Sequence, residues 1–245
     1  MSDIAYNAGL IAAASGAMSR LRSLDIVTNN LANSNTPGFK RDVPGFDAFL
    51  VRAQQGGTSV TTARLQRVNQ DRSPGEMKKT GNPLDVAIMG RGFFQVQDPA
   101  TGQTYYTRQG NFSRNAEGTL VTSGGKPVIG DGGPLTLPAG SPLEIRTDGT
   151  VLVAGQTVGQ LRLFDIPDDI PLSRVGEGLL AAPNGFQADT VAQPHLMQGW
   201  IEQANVQPLR EMTRMVTLER EFESYQKLIH AYGQLAGKAA EIGAF

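Results

Sequence analysis

Residues 10–32 read LIAAASGAMSRLRSLDIVTNNLA, and their spacing decides the architecture. Leu10, Ala14, Ala17, Leu21, Leu24, Thr28 and Leu31 fall at alternating steps of four and three. That heptad puts them on one stripe of an α-helix. The same alternation returns near the other end, in Met215, Leu218, Phe222, Tyr225, Ile229, Tyr232, Ala236 and Ala239, with Leu209, Met212 and Val216 widening the stripe at its start. Pro208 suits the first helical position, where its missing N–H would be unpaired anyway, and Glu211 places a carboxylate in the positive first turn. The first helix is expected to stop over Asn33–Gly38, because Thr36 precedes Pro37 and is pushed out of the α region.

Between the helices the period changes to two, with Gly and Pro as punctuation. Leu84–Ile88, Phe93–Gln97 and Thr104–Arg108 read as strands, the last two joined by a turn at Asp98–Gly102. Further short runs follow at 119–122, 127–129, 135–137, 143–146, 150–153 and 160–166. Many short strands separated by turn residues indicate an antiparallel sandwich or irregular barrel. The expected class is α+β: a mainly-β central domain flanked by N- and C-terminal amphipathic coiled-coil helices. The expected divisions are an N-terminal helix over 1–35, an extended linker or arm over 36–80, the β domain over 81–200 and a C-terminal helix over 201–245. Within the arm, Phe46, Phe49 and Leu50 suggest a short helix, and Gln54–Thr62 reads as polar and flexible.

A helix of about 28 residues is about 42 Å long, and its apolar stripe needs cover along that length. Each stripe is wider than a two-stranded coil requires, and Phe222, Tyr225 and Tyr232 are too bulky to leave in water. Packing against further copies of the chain is the expectation, with an intramolecular helical hairpin as the alternative. The assembly residues would be Leu10, Ala14, Ala17, Leu21, Leu24 and Leu31 on one helix. On the other they would be Met215, Leu218, Phe222, Tyr225, Ile229 and Tyr232.

Composition narrows the function. The 245-residue chain has no cysteine, which excludes disulfide scaffolds, thiol catalysis and cysteine-ligated zinc or iron–sulfur sites. With 22 basic and 23 acidic residues, its net charge of -1 lacks the basic excess of a general nucleic-acid binder. No stretch is long and apolar enough to suggest membrane insertion, and no secretory leader is apparent, so a soluble chain is expected.

The search for chemistry yields little. His195 and His230 have no partner at metal-ligand spacing. Gly118–Lys126 misses the phosphate-loop spacing, and Gly90-Arg91-Gly92 lacks the last glycine of a dinucleotide fingerprint. Asp165, Asp168 and Asp169 are interrupted by Pro167, against a calcium loop. Gly90, Gly92 and Gly110 read as strand turns. No catalytic residue, metal site or cofactor is assigned.

Four motifs in order resemble one family over nearly the whole chain, the rod and hook axial proteins of the bacterial flagellum. Asn29-Asn30-Leu31-Ala32-Asn33 followed by Asn35-Thr36-Pro37-Gly38-Phe39-Lys40 is similar to the family's N-terminal signature. Residues 80–96, TGNPLDVAIMGRGFFQV, resemble its central signature. Tyr106–Phe112 with Gly118–Thr122 continue the pattern, and Gln198–Val206 resembles the entry to the last helix, with Ala204 where serine is usual. Gly159–Pro167 and the short middle resemble the proximal-rod branch, while the distal-rod branch shares most of the motifs.

The resemblance implies a structural subunit of the basal-body rod in the periplasm, exported without a cleaved signal by the flagellar type III apparatus. It implies partners that are other copies of the chain and other rod proteins, in a hollow helical shaft that transmits torque. Asn29, Asn30, Asn33, Thr36, Gly38 and Phe39 carry the N-terminal motif, and Thr36-Pro37-Gly38 would set the angle at which the first helix leaves the tube wall. Two readings of another class remain at this level: a distal-rod or hook-type relative aside, a secreted β-rich enzyme acting on peptidoglycan, or a free-standing adhesin.

Overall fold

The computed structural model describes residues 2–52, 59–138 and 142–242, with side chains described outside 2–8, 46–67 and 236–242. Two long helices, α1 (Ser2–Ala32) and α2 (Pro208–Ile242), bracket a series of short antiparallel strands in sequence. The chain divides into two compact units. One comprises Met1–Ala32, Asp42–Asp71 and Gln207–Phe245; the other comprises Asn33–Arg41 and Arg72–Val206.

In the helical unit, α1 packs along α2 and along a hairpin of β1 (Asp42–Arg52) and β2 (Ser59–Gln70). This hairpin occupies most of the 36–80 stretch expected to be an extended arm. Phe46–Leu50, read above as a short helix, is strand; its five ladder pairs, among the eleven that join β1 to β2, replace the intrahelical bonds that so short a helix could supply. Of the Gln54–Thr62 segment, residues 54–58 lie outside the described residues, and Ser59–Thr62 belongs to β2.

Three contacts fix the pairing of the helices. Gly9 faces the Tyr232 ring, Gly16 faces the Tyr225 ring, and Arg20 Nε lies 2.6 Å from Glu221 Oε2. The numbers in each pair add to 241, so one antiparallel register holds along the pair. That register puts Ser23 level with Leu218 and Asn30 level with Glu211, and all four are buried. Of the stripe expected on α2, Leu218, Tyr225 and Tyr232 therefore stand opposite α1. On α1 the meeting face runs through Gly9, Gly16, Ser23 and Asn30, one residue short of the leucine stripe and so about 100° round the helix. Large rings on one helix need small residues opposite them to reach interior packing density.

The β unit is an array of small antiparallel sheets. The largest has six strands in the order Ser173–Gly176, Leu179–Ala181, Thr104–Thr107, Phe93–Gln97, Leu163–Asp165 and Asp189–Thr190. A three-stranded sheet spans Leu143–Ile145, Thr150–Val153 and Gln156–Gln160, and Val86–Ile88 pairs with Leu196–Gln198. The run expected at 160–166 is split between two sheets by an isolated bridge, Gly130 to Leu161. Residues 135–137 make a bridge rather than a strand of their own. The main core joins Val86, Ile88, Phe94, Leu120, Leu161 and Leu196, with Phe112 edge-on to Phe94 at 5.0 Å. A smaller core gathers Phe93, Tyr106, Ile166 and Leu180.

Candidate functional site

Two features stand apart from ordinary packing, one in each unit. In the β unit a carboxylate is buried with two cations. Lys40 Nζ donates to Glu202 Oε1 at 2.6 Å and to the Ser73 carbonyl at 2.7 Å. The Gly75 N–H donates to the same Oε1 at 2.8 Å, and Arg108 Nη1 donates to Oε2 at 3.3 Å. The Lys40 and Glu202 side chains are only 3% and 1% exposed, so this is an interior cluster in which removal of one member strands a charge. Burial draws the Arg108 guanidinium below its ordinary value, and the Glu202 carboxylate opposes that shift. Arg108 also donates to the Gly90 carbonyl at 2.7 Å and lies over the Phe93 ring at 5.3 Å, a cation–π contact that stabilises a poorly hydrated cation.

The backbone follows the charges. The Gly38 N–H donates to the Glu202 carbonyl at 2.7 Å, and the Asn205 N–H donates to the Phe39 carbonyl at 3.3 Å. The Arg41 N–H donates to Asn205 Oδ1 at 2.7 Å, while Asn205 Nδ2 reaches the Ser73 carbonyl at 3.0 Å. Arg174 donates to the Lys40 carbonyl and stacks 4.2 Å over Phe39. Gly38 has φ +66°, and a side chain there would meet the Arg108 backbone, so glycine is required on both counts. Residues 38–41 are thereby clasped by 202–205, and the chain leaving α1 lies beside the chain about to enter α2.

The other motif residues have local tasks. Asn30 is buried in the helical unit and pairs with Asp42 in both directions: its Nδ2 donates to the Asp42 carbonyl, and the Asp42 N–H donates to its Oδ1, each at 2.8 Å. Asn33 closes the turn after α1, accepting from the Thr36 N–H at 3.0 Å and from the Thr36 hydroxyl at 3.3 Å. Asn29 is exposed on α1. Gly90 and Gly92 have φ +96° and +113° at the loop before Phe93, as turn glycines do. Both histidines are exposed.

The second feature is the surface of the helical unit. On α2, Met215, Phe222, Tyr225, Ile229 and Tyr232 are half-buried and Leu218 is buried. On α1, Ala17 is buried, Leu10, Ala14, Leu24 and Leu31 are half-buried, and Leu21 is 47% exposed. Beyond these, Ile11 and Met18 on α1 and Leu209, Met212, Val216, Leu228 and Leu235 on α2 are at least about half exposed, Leu209 reaching 78%. Ala236 and Ala239 lie outside the described side chains. No helix is long and apolar enough to cross a membrane among the described residues.

Comparison with known proteins decides what carries these features. Residues 10–40 match the family described as flagella basal body rod protein, residues 87–153 match the flagellar hook protein FlgE/F/G D1 domain, and residues 197–242 match the flagellar basal body rod FlgEFG protein C-terminal region. The chain is 36% identical to the flagellar basal-body rod protein FlgF of Caulobacter vibrioides over 91% of its own length and 93% of that protein. It is 34% identical to FlgF of Salmonella typhimurium, covering 94% and 96%. The chain belongs to the flagellar basal-body rod proteins.

Within that family it is a FlgF-like structural subunit of the FlgE/F/G axial proteins. FlgG of Buchnera aphidicola subsp. Baizongia pistaciae is also similar, at 33% identity over 88% of this chain and 92% of that one. Membership overturns the peptidoglycan-enzyme and adhesin readings, since the rod family is structural and not enzymatic. The three matched regions meet in the buried cluster: Lys40 closes the first, Arg108 lies in the second and Glu202 in the third. The sequence motifs point at Gly38, Phe39 and Lys40 but give no hint that Glu202, 162 residues away, is their partner.

Proposed function

We propose that this chain builds a proximal section of the flagellar rod, self-assembling through α1 and α2 into a hollow helical shaft that carries torque across the periplasm. The observation that carries the reading is the apolar surface left on both helices after they have packed on each other, from Ile11 and Met18 to Leu209, Met212 and Val216. Burying a Leu or Met side chain is worth about 1.5–3 kcal/mol, so covering this stripe in each subunit supplies a large driving force. Contacts of one face against a different face of the next copy do not close and generate a helical tube. The partners are other copies of this chain and other rod proteins, reached after export through the type III apparatus. In the tube the helices line the inside and the β unit forms the wall, with Thr36-Pro37-Gly38 setting the angle between α1 and that wall.

Leu24→Asp tests the assembly role. Its side chain is half-buried beside the α2-facing stripe, so the charge would sit where a neighbour packs. The variant is expected to keep a folded β unit by Trp200 fluorescence, yet to give non-motile cells without complete basal bodies. Normal motility with normal basal bodies would overturn the proposal.

A further inference from the structure

The path of the chain between α1 and β1 is unusual. Both of its flanks, Met1–Ala32 and Asp42–Asp71, belong to the helical unit, yet residues 33–41 belong to the β unit. A nine-residue excursion of this kind has too few residues for a core of its own, so it is held by what it docks on. Here the docking is strong. Lys40 is buried on Glu202, the Gly38 and Arg41 amides are bonded to 202–205, and Arg174 covers Phe39.

We infer that residues 33–41 are a latched strap that folds with the β unit rather than with the helices beside it in sequence. Lys40, Glu202 and Arg108 form the latch. The strap stays docked when α1 and α2 come undone, so the β unit alone holds the ends of the chain from which both helices grow. Glu202 and Lys40 are positioning residues in this device. The consequence for the proposed function, on which the latch itself does not depend, is that a subunit with unformed helices already presents their two roots together. Pairing of α1 with α2 then begins as an intramolecular event at high effective concentration.

The physical basis is the uneven distribution of stability. Elements with few buried apolar contacts open locally well below the global unfolding free energy, whereas segments tied into a core open with it. The helical unit leaves apolar side chains in water, while the β unit buries Phe94, Leu161 and Val96 completely or nearly so. A strap tied to the second should share the second's protection. An unlatched strap would exchange with α1, its immediate neighbour in the chain.

Native-state amide hydrogen exchange on the full chain across a urea series separates the two. The reporters of latching are the Gly38, Arg41 and Asn205 amides, each hydrogen-bonded between the strap and residues 202–205. They are expected to stay protected after the α1 and α2 amides have exchanged, and to open together with the Phe94 and Tyr106 amides. Lys40→Met should lower latch protection at least tenfold while leaving Phe94 and Tyr106 protected. Should that variant fail to fold, the wild-type series and the milder Arg174→Ala still decide. Latch amides that open together with α1, in a separate step or in one global unfolding, would overturn the inference.

Discussion

The β unit and the helical unit solve the problem of burial in opposite ways. The β unit closes on itself: its large apolar residues are almost all inside, and the buried Lys40, Arg108 and Glu202 charges meet one another. The helical unit pairs α1 with α2 through a single register and then leaves whole flanks of leucine, methionine and valine in water. Soluble monomers seldom leave contiguous apolar stripes of this kind without a use for them. One chain therefore contains a part whose fold is complete in itself and a part that, in the proposed function, becomes complete on assembly.

The heaviest blow to that contrast should come from Glu202→Ala. It leaves Lys40 and Arg108 buried without their carboxylate, a loss on the order of 3–5 kcal/mol. The single tryptophan, Trp200, stands two residues away, so its fluorescence in urea reads the β unit directly. The midpoint should fall, and an unchanged midpoint would show that the cluster is not needed for closure.

A smaller effect is expected from Gly16→Leu. The new side chain would occupy the space of the Tyr225 ring, and overpacking typically costs about 1–3 kcal/mol. The gain of about 0.8–1 kcal/mol in helix propensity on replacing glycine offsets only part of it. Helical circular dichroism should melt earlier while the Trp200 transition stays in place. If both transitions shift together, the two units are not energetically distinct.

The least change in the purified protein is expected from Val216→Asp. Its position is 48% exposed, and surface substitutions usually stay within about 0.5 kcal/mol. Incorporation into rods should nevertheless be lost. A variant that assembles and swims normally would mean that this flank faces solvent in the rod as well.

How far the sequence could be read follows the same divide. The α2 stripe is legible because its members are bulky and apolar, and Leu218, Tyr225 and Tyr232 stand opposite Ser23, Gly16 and Gly9 of α1. The face of α1 that meets α2 is not legible, because Gly9, Gly16 and Ser23 carry no hydrophobic signal, and the leucine stripe lies on an adjacent face. The alternation in Phe93–Gln97 and Thr104–Thr107 gave true strands, whereas two-residue strands such as Ser113–Arg114 are too short to show a period. The β1–β2 hairpin escaped because Pro44 and Gly45 interrupt the strand's start, beside the register shift at Gly45/Phe46. The latch escaped because it is a long-range event.

The absence of native cysteine makes the central claim directly measurable. Val216→Cys and Met18→Cys, each introduced alone, can be labelled with a maleimide in the free subunit and in isolated basal bodies. If the flanks of the helical unit are completed by neighbours, both positions should react readily in the free protein and at least tenfold more slowly in the assembled rod. Equal labelling rates in the two states would contradict the account.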